Sequence, residues 1–147
     1  REGVEASINW QATQDLRIEW VYGIADSEIR SNSNAAIEGN EVGGVAEYNS
    51  NLSLNWNITP ALSFDAAWRK VGGYALNSSN TDYADSYGVV DVGLNYVDSR
   101  LPGWVFNLKA DNIADKRYAT SVSVIGGETV IAPGAPRQIM VGAQIQF

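Results

Sequence analysis

The sequence contains no cysteine and no histidine among its 147 residues. These absences exclude disulfide frameworks, thiolate metal sites and cysteine nucleophiles, and they remove the commonest general base and transition-metal ligand. Cations are also few, because ten Lys+Arg face seventeen Asp+Glu for a net charge of −7. A nucleic-acid-binding protein is therefore disfavoured, since phosphates require neutralisation. No apolar run approaches eighteen residues, so no membrane-spanning helix is expected.

Aromatic residues and glycine are abundant, with five Trp, seven Tyr and fourteen Gly. The dominant pattern is strict alternation of apolar and polar residues, as in residues 48–58, where even positions are mostly apolar and odd positions are Asn or Ser. A strand places successive side chains on opposite faces, so this alternation predicts an all-β chain. Seven runs share the pattern: 4–10, 16–25, 48–58, 62–69, 89–96, 104–111 and 138–147.

The connections between the runs alternate between short and long. The short ones are 11–15, 59–61 and 97–103, and the long ones are 26–47, 72–88 and 112–137. Antiparallel strands can be joined by tight turns, so the sequence predicts an antiparallel meander of about seven strands with every long loop at one end. Residues 122–125 and 129–131 are expected to form a small hairpin inside the last loop.

The aromatic residues of the apolar phase lie near the two ends of the runs. Aliphatic residues lie between these two groups, which is the double aromatic girdle of a transmembrane β-barrel. A soluble, carbohydrate-binding β-sandwich also alternates and remains an alternative, but its core would not sort aromatic residues to two rims. At the short-turn end the girdle comprises Trp10, Trp56, Tyr96, Trp104 and Phe147. Toward the long-loop end it comprises Trp20, Tyr22, Tyr48 and Trp68.

Seven strands cannot stand alone in a bilayer. Unpaired N–H and C=O groups at an open sheet edge each cost several kcal/mol in hydrocarbon, and bacterial single-chain barrels have even strand numbers from eight upward. We therefore expect the chain to be part of a larger barrel. A porin without a plug would satisfy this requirement as well as a receptor would.

Three segments resemble motifs of TonB-dependent outer-membrane receptors. Asn112-Ile-Ala-Asp-Lys-Arg-Tyr118 resembles the N-L-x-D-K-x-Y segment of that family, although the family often has Leu-Phe after the asparagine. Ala132-Pro-Gly-Ala-Pro-Arg-Gln138 resembles its P-G-x-P-R segment, and Arg1-Glu-Gly-Val-Glu5 resembles the R-G-x-E opening of an earlier strand. The resemblance implies that residues 1–147 form the C-terminal third of a 22-stranded barrel, its last seven strands, without the plug domain and the earlier strands.

The resemblance also implies a function and partners. Such receptors lie in the outer membrane of Gram-negative bacteria and import siderophore–iron complexes, cobalamin, haem or oligosaccharides. The implied partners are outer-membrane lipid, the rest of the barrel and its plug, TonB acting through the plug, the barrel assembly machinery and a small-molecule ligand. No enzyme activity and no cofactor are implied.

Candidate site residues follow from position. Phe147, a terminal aromatic, resembles the signal read by the assembly machinery. Tyr74, Tyr83 and Tyr87 lie in one long loop and could stack on a flat ligand, although loop packing or interface anchoring is the more common role of such residues. Asp82 and Asp85 lack the spacing of a 12-residue Ca²⁺ loop, so no metal site is predicted. No pair of carboxylates is selected for catalysis, so no catalytic residue is predicted.

Overall fold

A computed structural model describes residues 1–145 of the chain. Seven long strands form one antiparallel sheet in the order β1-β2-β3-β4-β7-β8-β11, and two small hairpins, β5–β6 and β9–β10, lie in the long connections. A short 3₁₀ turn spans Ala35–Ile37. The strands are β1 (Glu2–Gln11), β2 (Leu16–Asp26), β3 (Tyr48–Thr59), β4 (Leu62–Val71), β5 (Tyr74–Ala75), β6 (Tyr83–Ala84), β7 (Tyr87–Val97), β8 (Trp104–Asp111), β9 (Ala119–Ile125), β10 (Glu128–Pro133) and β11 (Gln138–Ile145).

The predicted antiparallel meander is confirmed. All seven predicted long strands are present with their described bounds within two residues of the expected ones, and the hairpin predicted in the last loop is β9–β10, whose first strand begins three residues earlier than expected. The structure adds the hairpin β5–β6, which the sequence did not predict. The strands of residues 1–145 form one large sheet that does not close, so a sandwich of two packed sheets is not favoured. No helix among these residues is long and apolar enough to cross a membrane.

The strand register keeps the two faces separate across the whole sheet. Rows of paired residues are mostly apolar on one face and mostly polar on the other, because the pairings join positions of the same phase except at Thr59 and Leu62, beside the irregularity at the β3–β4 turn. One row on the apolar face, here called the outward face, runs Ile8, Trp20, Leu52, Trp68 and Val90. The next row, on the inward face, runs Asn9, Glu19, Ser53, Ala67 and Asp91.

The outward face has no protein partner among residues 1–145. Val141 is 81% exposed and Trp10 is 57% exposed, although both side chains are apolar. The buried apolar residues of the described chain are Ala75, Ala84 and Val89, and none of them is on the outward face. A large exposed apolar surface of this kind indicates a face made for contact with another apolar phase.

The aromatic residues near the short turns lie along a line that slants across the rows of paired residues. The hydrogen-bonded row through Trp10 passes through β2, β3, β4 and β7 and reaches Ala110 in β8. Trp56, Tyr96 and Trp104 lie two, four and six residues beyond this row in β3, β7 and β8. Six residues of about 3.3 Å across five strand steps of about 4.8 Å incline the line of aromatics by about 40° to the rows of paired residues. Strands tilted by this angle, as in outer-membrane barrels, would place the four aromatics at one level.

The turn between β7 and β8 is held by an ion pair. The guanidinium of Arg100 donates to the Asp98 carboxylate at 2.9 Å from Nε and 2.7 Å from Nη2, and the Arg100 backbone N–H donates to Oδ1 at 2.9 Å. These hydrogen bonds, the side-chain ones first, lower the pKa of Asp98 to about 2. The carboxylate of Asp98 thus stabilises the turn between β7 and β8 at the short-turn end of the sheet.

A substitution pair tests the assignment of the two faces. Leu54 points outward and Asn55 inward in β3. Leu54→Arg is expected to lower the free energy of unfolding by about 2–4 kcal/mol, because the substitution would place a charge in hydrocarbon. Asn55→Arg should have a much smaller effect. Urea unfolding of the full polypeptide in lipid vesicles measures both, and equal losses would overturn the assignment.

The turn gives a prediction about pH. Because folding lowers the pKa of Asp98 to about 2, its contribution to stability is present above the ordinary pKa of about 3.9 and is lost as pH falls through the folded value. Selective ¹³C labelling of aspartate carboxyls, assigned with Asp98→Asn, measures this titration. Arg100→Gln should return the pKa of Asp98 toward its ordinary range, and an unchanged titration in that variant would refute the role of Arg100.

Candidate functional site at the long-loop end

The three long connections pack together at one end of the sheet, and we call residues 27–47, 72–86 and 112–137 the loop cluster. The first two connections are joined largely through Asn80, whose φ of 52° is in the left-handed region that asparagine tolerates. Its Oδ1 accepts from the Glu41 N–H at 2.7 Å, and its Nδ2 donates to the Glu41 carbonyl at 3.1 Å. The Gly44 N–H also donates to the Ala75 carbonyl at 2.8 Å.

Tyr74 joins the second connection to the third. Its hydroxyl accepts from the Val122 N–H at 2.7 Å and donates to the Val122 carbonyl at 3.0 Å. One hydroxyl therefore satisfies both backbone groups of a residue in β9, as a neighbouring strand would. The hairpin β9–β10 is thereby fixed to β5.

The third connection is closed at its base by Asn112. This side chain is 3% exposed, and its Nδ2 donates to the carbonyls of Lys116 at 2.8 Å and Ala135 at 3.0 Å. Its Oδ1 accepts from the Lys116 N–H at 2.9 Å. Asp115 adds a second link, since its Oδ1 accepts from the Arg137 N–H at 3.0 Å. The two ends of a connection of more than twenty residues are thus held side by side.

Tyr118 packs between this base and β7. The Gly134 N–H donates to the Tyr118 carbonyl at 2.8 Å, and a Cβ on Gly134 would overlap the Tyr118 ring. The other side of the Tyr118 ring contacts Tyr87, with centroids 4.6 Å apart. The segments 112–118 and 132–138, which the sequence presents separately, therefore form one structural unit.

A cleft of about 570 Å³ opens between the loop cluster and the ends of β4 and β7, and we call it the tyrosine cleft. Tyr74, Tyr83 and Tyr87 all line it, as do Tyr118 and the cations Lys116 and Arg117. The four tyrosines are not equivalent. The Tyr74 hydroxyl is engaged by Val122, the rings of Tyr87 and Tyr118 pack together, and Tyr83 is 54% exposed. That these tyrosines bind a ligand stays a prediction, and Tyr83 is the one most accessible for it.

Sequence reasoning assigned no site role to Tyr118, Lys116 and Arg117, although they stand inside a motif that it quoted. The sequence feature that could have indicated these residues is Asn112, four to six positions earlier in the chain, because asparagine side chains often close turns. Asp82, by contrast, is used within its own loop, where it accepts from Asn77 at 2.7 Å and Thr81 at 2.9 Å. Residues 1–145 contain no group of three or more acidic, histidine or cysteine side chains placed to hold a metal ion.

Residues 1–113 match the family model described as TonB dependent receptor-like, beta-barrel. The chain belongs to this family. The match covers β1 to β8, so the sequence resemblance and the observed meander agree over most of the sheet. The members of the family are transport receptors rather than enzymes.

Solved receptors share this fold over nearly the whole chain, which spans about a fifth of their length. The siderophore receptor PiuA from Acinetobacter baumannii has 20% identity over 97% of this chain and 21% of its own, with a TM-score of 0.82. The ferric yersiniabactin uptake receptor FyuA from Yersinia pestis has 24% identity over 99% and 23%, with a TM-score of 0.80. The ferric-catecholate import receptor Fiu from E. coli has 22% identity over 99% and 20%, with a TM-score of 0.80.

The inward face of this TonB-dependent receptor segment carries ion pairs of both signs. Arg69 pairs with Asp91 across two strands at 2.9 Å, and Lys109 pairs with Asp111 within β8 at 2.9 Å. Asp91 also accepts from the Asn112 N–H at 2.8 Å, so the inward charges connect to the base of the loop cluster. Asp65, four residues from Arg69, instead lies over Gly93. Arg17 and Glu19 pair likewise in β2.

Two other predicted groups have different outcomes. Trp10, Trp56, Tyr96 and Trp104 all lie on the outward face near the short turns, as the girdle requires, but their contact with a membrane interface stays a prediction. Phe147 lies outside the described residues.

Asn112 provides a test of the loop base. Asn112→Ala removes three hydrogen bonds and leaves the carbonyls of Lys116 and Ala135 without this partner, so we expect the local free energy of opening to fall by about 1–3 kcal/mol. Hydrogen exchange of the amides of residues 113–137, measured by mass spectrometry on the full polypeptide, should accelerate. Asn51→Ala, on the inward face of β3, is the control and should leave these amides unchanged; equal protection in both variants would contradict the proposed base.

Proposed function

We propose that this chain forms part of the barrel wall and three extracellular loops of an outer-membrane receptor. The receptor takes up a scarce nutrient, such as a siderophore–iron complex, in a reaction energised by TonB. Membership of the TonB-dependent receptor family carries this proposal. The matched receptors from A. baumannii, Y. pestis and E. coli are a siderophore receptor, a ferric yersiniabactin receptor and a ferric-catecholate receptor, respectively.

The chemistry of the tyrosine cleft supports a ligand of this class. Aromatic faces such as that of Tyr83 stack on flat rings, and the cations Lys116 and Arg117, which share the cleft with the carboxylates of Asp82 and Asp85, could each pair with an anionic group of a ligand. The remaining tyrosines make contacts that hold the cleft in shape. A preformed cleft lowers the cost of ordering on binding.

The open edges of the sheet support a larger barrel. Within residues 1–145, β1 and β11 pair with no strand on their outer sides. Each unpaired backbone group at such an edge would cost several kcal/mol in hydrocarbon, so further strands must complete the pairing. We propose that these belong to a 22-stranded barrel of which residues 1–147 are the last seven strands.

The proposed partners follow from the two faces. The inward face, with its mixed ion pairs, would contact a plug domain, and TonB would act through that plug. The outward face would contact outer-membrane lipid of a Gram-negative bacterium. The barrel assembly machinery would read the last strand, including Phe147.

The alternatives carry less support. A porin without a plug would share the meander, but the family model that matches is that of TonB-dependent receptors. A soluble carbohydrate-binding sandwich requires a second sheet over the outward face, and the described residues provide none.

Uptake by the full polypeptide tests the proposal. Iron-starved cells expressing it are expected to accumulate ⁵⁵Fe supplied as a panel of ferric catecholates and hydroxamates, and the accumulation should stop when TonB is deleted. Tyr83→Ala should weaken binding of the accepted complex by up to about tenfold, because one stacking contact is lost.

Matched variants separate a binding effect from a folding effect. Tyr83→Phe keeps the ring and should retain binding, and Ile125→Ala, at the exposed end of β9 and outside the cleft, should have no effect. Accumulation that is independent of TonB would point to a porin. Unchanged binding by Tyr83→Ala would remove Tyr83 from the ligand site.

A further inference from the structure

The outward face contains a groove of about 480 Å³ that is separate from the tyrosine cleft. It crosses β2, β3 and β4 in their halves nearer the long loops, and we call it the outward groove. Every residue that lines it occupies the outward phase of its strand, so the groove faces away from the lumen. The lining residues are Trp20, Tyr22, Tyr48, Ser50, Leu52, Trp68 and Lys70.

Ser50 forms the floor of the groove. It is a small residue on the outward phase, paired with Tyr22 on one side and Lys70 on the other. Its side chain is held down, because Oγ accepts from Trp20 Nε1 at 2.9 Å and the residue is only 5% exposed. The large neighbouring side chains therefore stand as walls around an otherwise flat sheet surface.

Lys70 places a positive charge at one wall. Lys70 is the one cationic residue among the outward positions of the described strands. No carboxylate of residues 1–145 forms an ion pair with it. Its Nζ lies 5.3 Å from the centroid of the Tyr48 ring. On the other side it is paired with Gly88, which has no side chain to cover it.

The groove extends from an interface level into an apolar level. Tyr48 is eight residues from Trp56 along β3, which at about 3.3 Å per residue and a tilt of about 40° corresponds to about 20 Å across the bilayer. Lys70 pairs with Ser50 and lies within about one residue's rise of the Tyr48 level. Leu52 and Trp20 lie nearer the bilayer centre. The cation therefore stands at headgroup depth, and the apolar walls stand at acyl-chain depth.

We propose that the outward groove binds a phosphate-bearing glycolipid of the outer leaflet, of the lipid A type. A phosphate would pair with the Lys70 ammonium, a sugar ring would contact Tyr48 and Tyr22, and an acyl chain would lie against Leu52 and Trp68. Three observations select this occupant: the cation without a carboxylate partner, the aromatic faces beside it, and the position at the long-loop end. The inference rests on the proposed outer-membrane location.

Lipid retention by the full polypeptide tests the inference. Receptor extracted from outer membranes is stripped of lipid in detergent and titrated with bisphosphorylated lipid A, lipid A without phosphates, or phosphatidylglycerol, and bound lipid is counted by native mass spectrometry. One molecule of bisphosphorylated lipid A is expected to bind in preference to the other two lipids. Lys70→Met should weaken its binding about fivefold, the effect of one basic residue at an anionic headgroup.

Two further variants test the groove itself. Ser50→Leu fills the floor and should also weaken binding, whereas Ala143→Leu adds the same bulk to the outward face of β11 and should not. Equal binding by wild type and Lys70→Met would overturn the inference, as would equal binding of phosphatidylglycerol or of lipid A without phosphates. If the wild type is recovered in outer membranes and takes up iron but shows no binding dependent on Lys70, the lipid site alone fails. If it is absent from outer membranes, the proposed function fails with it.

Discussion

A backbone in hydrocarbon must pair every N–H and C=O group within the protein, and this constraint explains most of the sheet. Pairing in continuous antiparallel register satisfies those groups, and the register then fixes which side chains share a face. Because the rows away from the β3–β4 turn keep the two phases separate, an outward apolar face and an inward charged face arise together from one strand alternation. The same constraint is the basis for the proposed larger barrel, because β1 and β11 have unpaired outer edges within residues 1–145.

Outside the strands the same need is met by side chains. Asn80 and Tyr74 each donate to and accept from backbone groups of a distant segment, and Asn112 donates to the Ala135 carbonyl, so side chains replace strand pairing there. These three residues make the loop cluster a single packed body above the sheet. The tyrosine cleft is shaped by this packing, since its walls belong to loops that contact each other.

Alternation was sufficient to predict the seven strands, because a half-exposed strand repeats every two residues whatever its partners are. The hairpin β5–β6 was missed because two-residue strands carry no period. Tertiary contacts were also inaccessible: nothing near Tyr74 in the sequence indicates Val122, which is 48 residues away. The outward groove did leave a signal. Ser50 and Lys70 are polar residues on the outward phase of β3 and β4, which is otherwise apolar, and such exceptions mark the places where the surface departs from a plain apolar wall.

At the proposed strand tilt of about 40°, the residues that pair across neighbouring strands are not the residues that lie at the same depth in the membrane. In the proposed membrane barrel, paired residues such as Trp10 and Ile18 would lie at different depths, whereas Trp10 and Trp104, which are five strands apart, would lie at the same depth. Energetic coupling between side chains therefore follows the register, while the cost of placing a charge follows the slanted line of equal depth. A map of tolerated substitutions across this sheet should therefore show two directions, one along the rows of paired residues and one along the lines of equal depth. These two directions cross at the tilt angle.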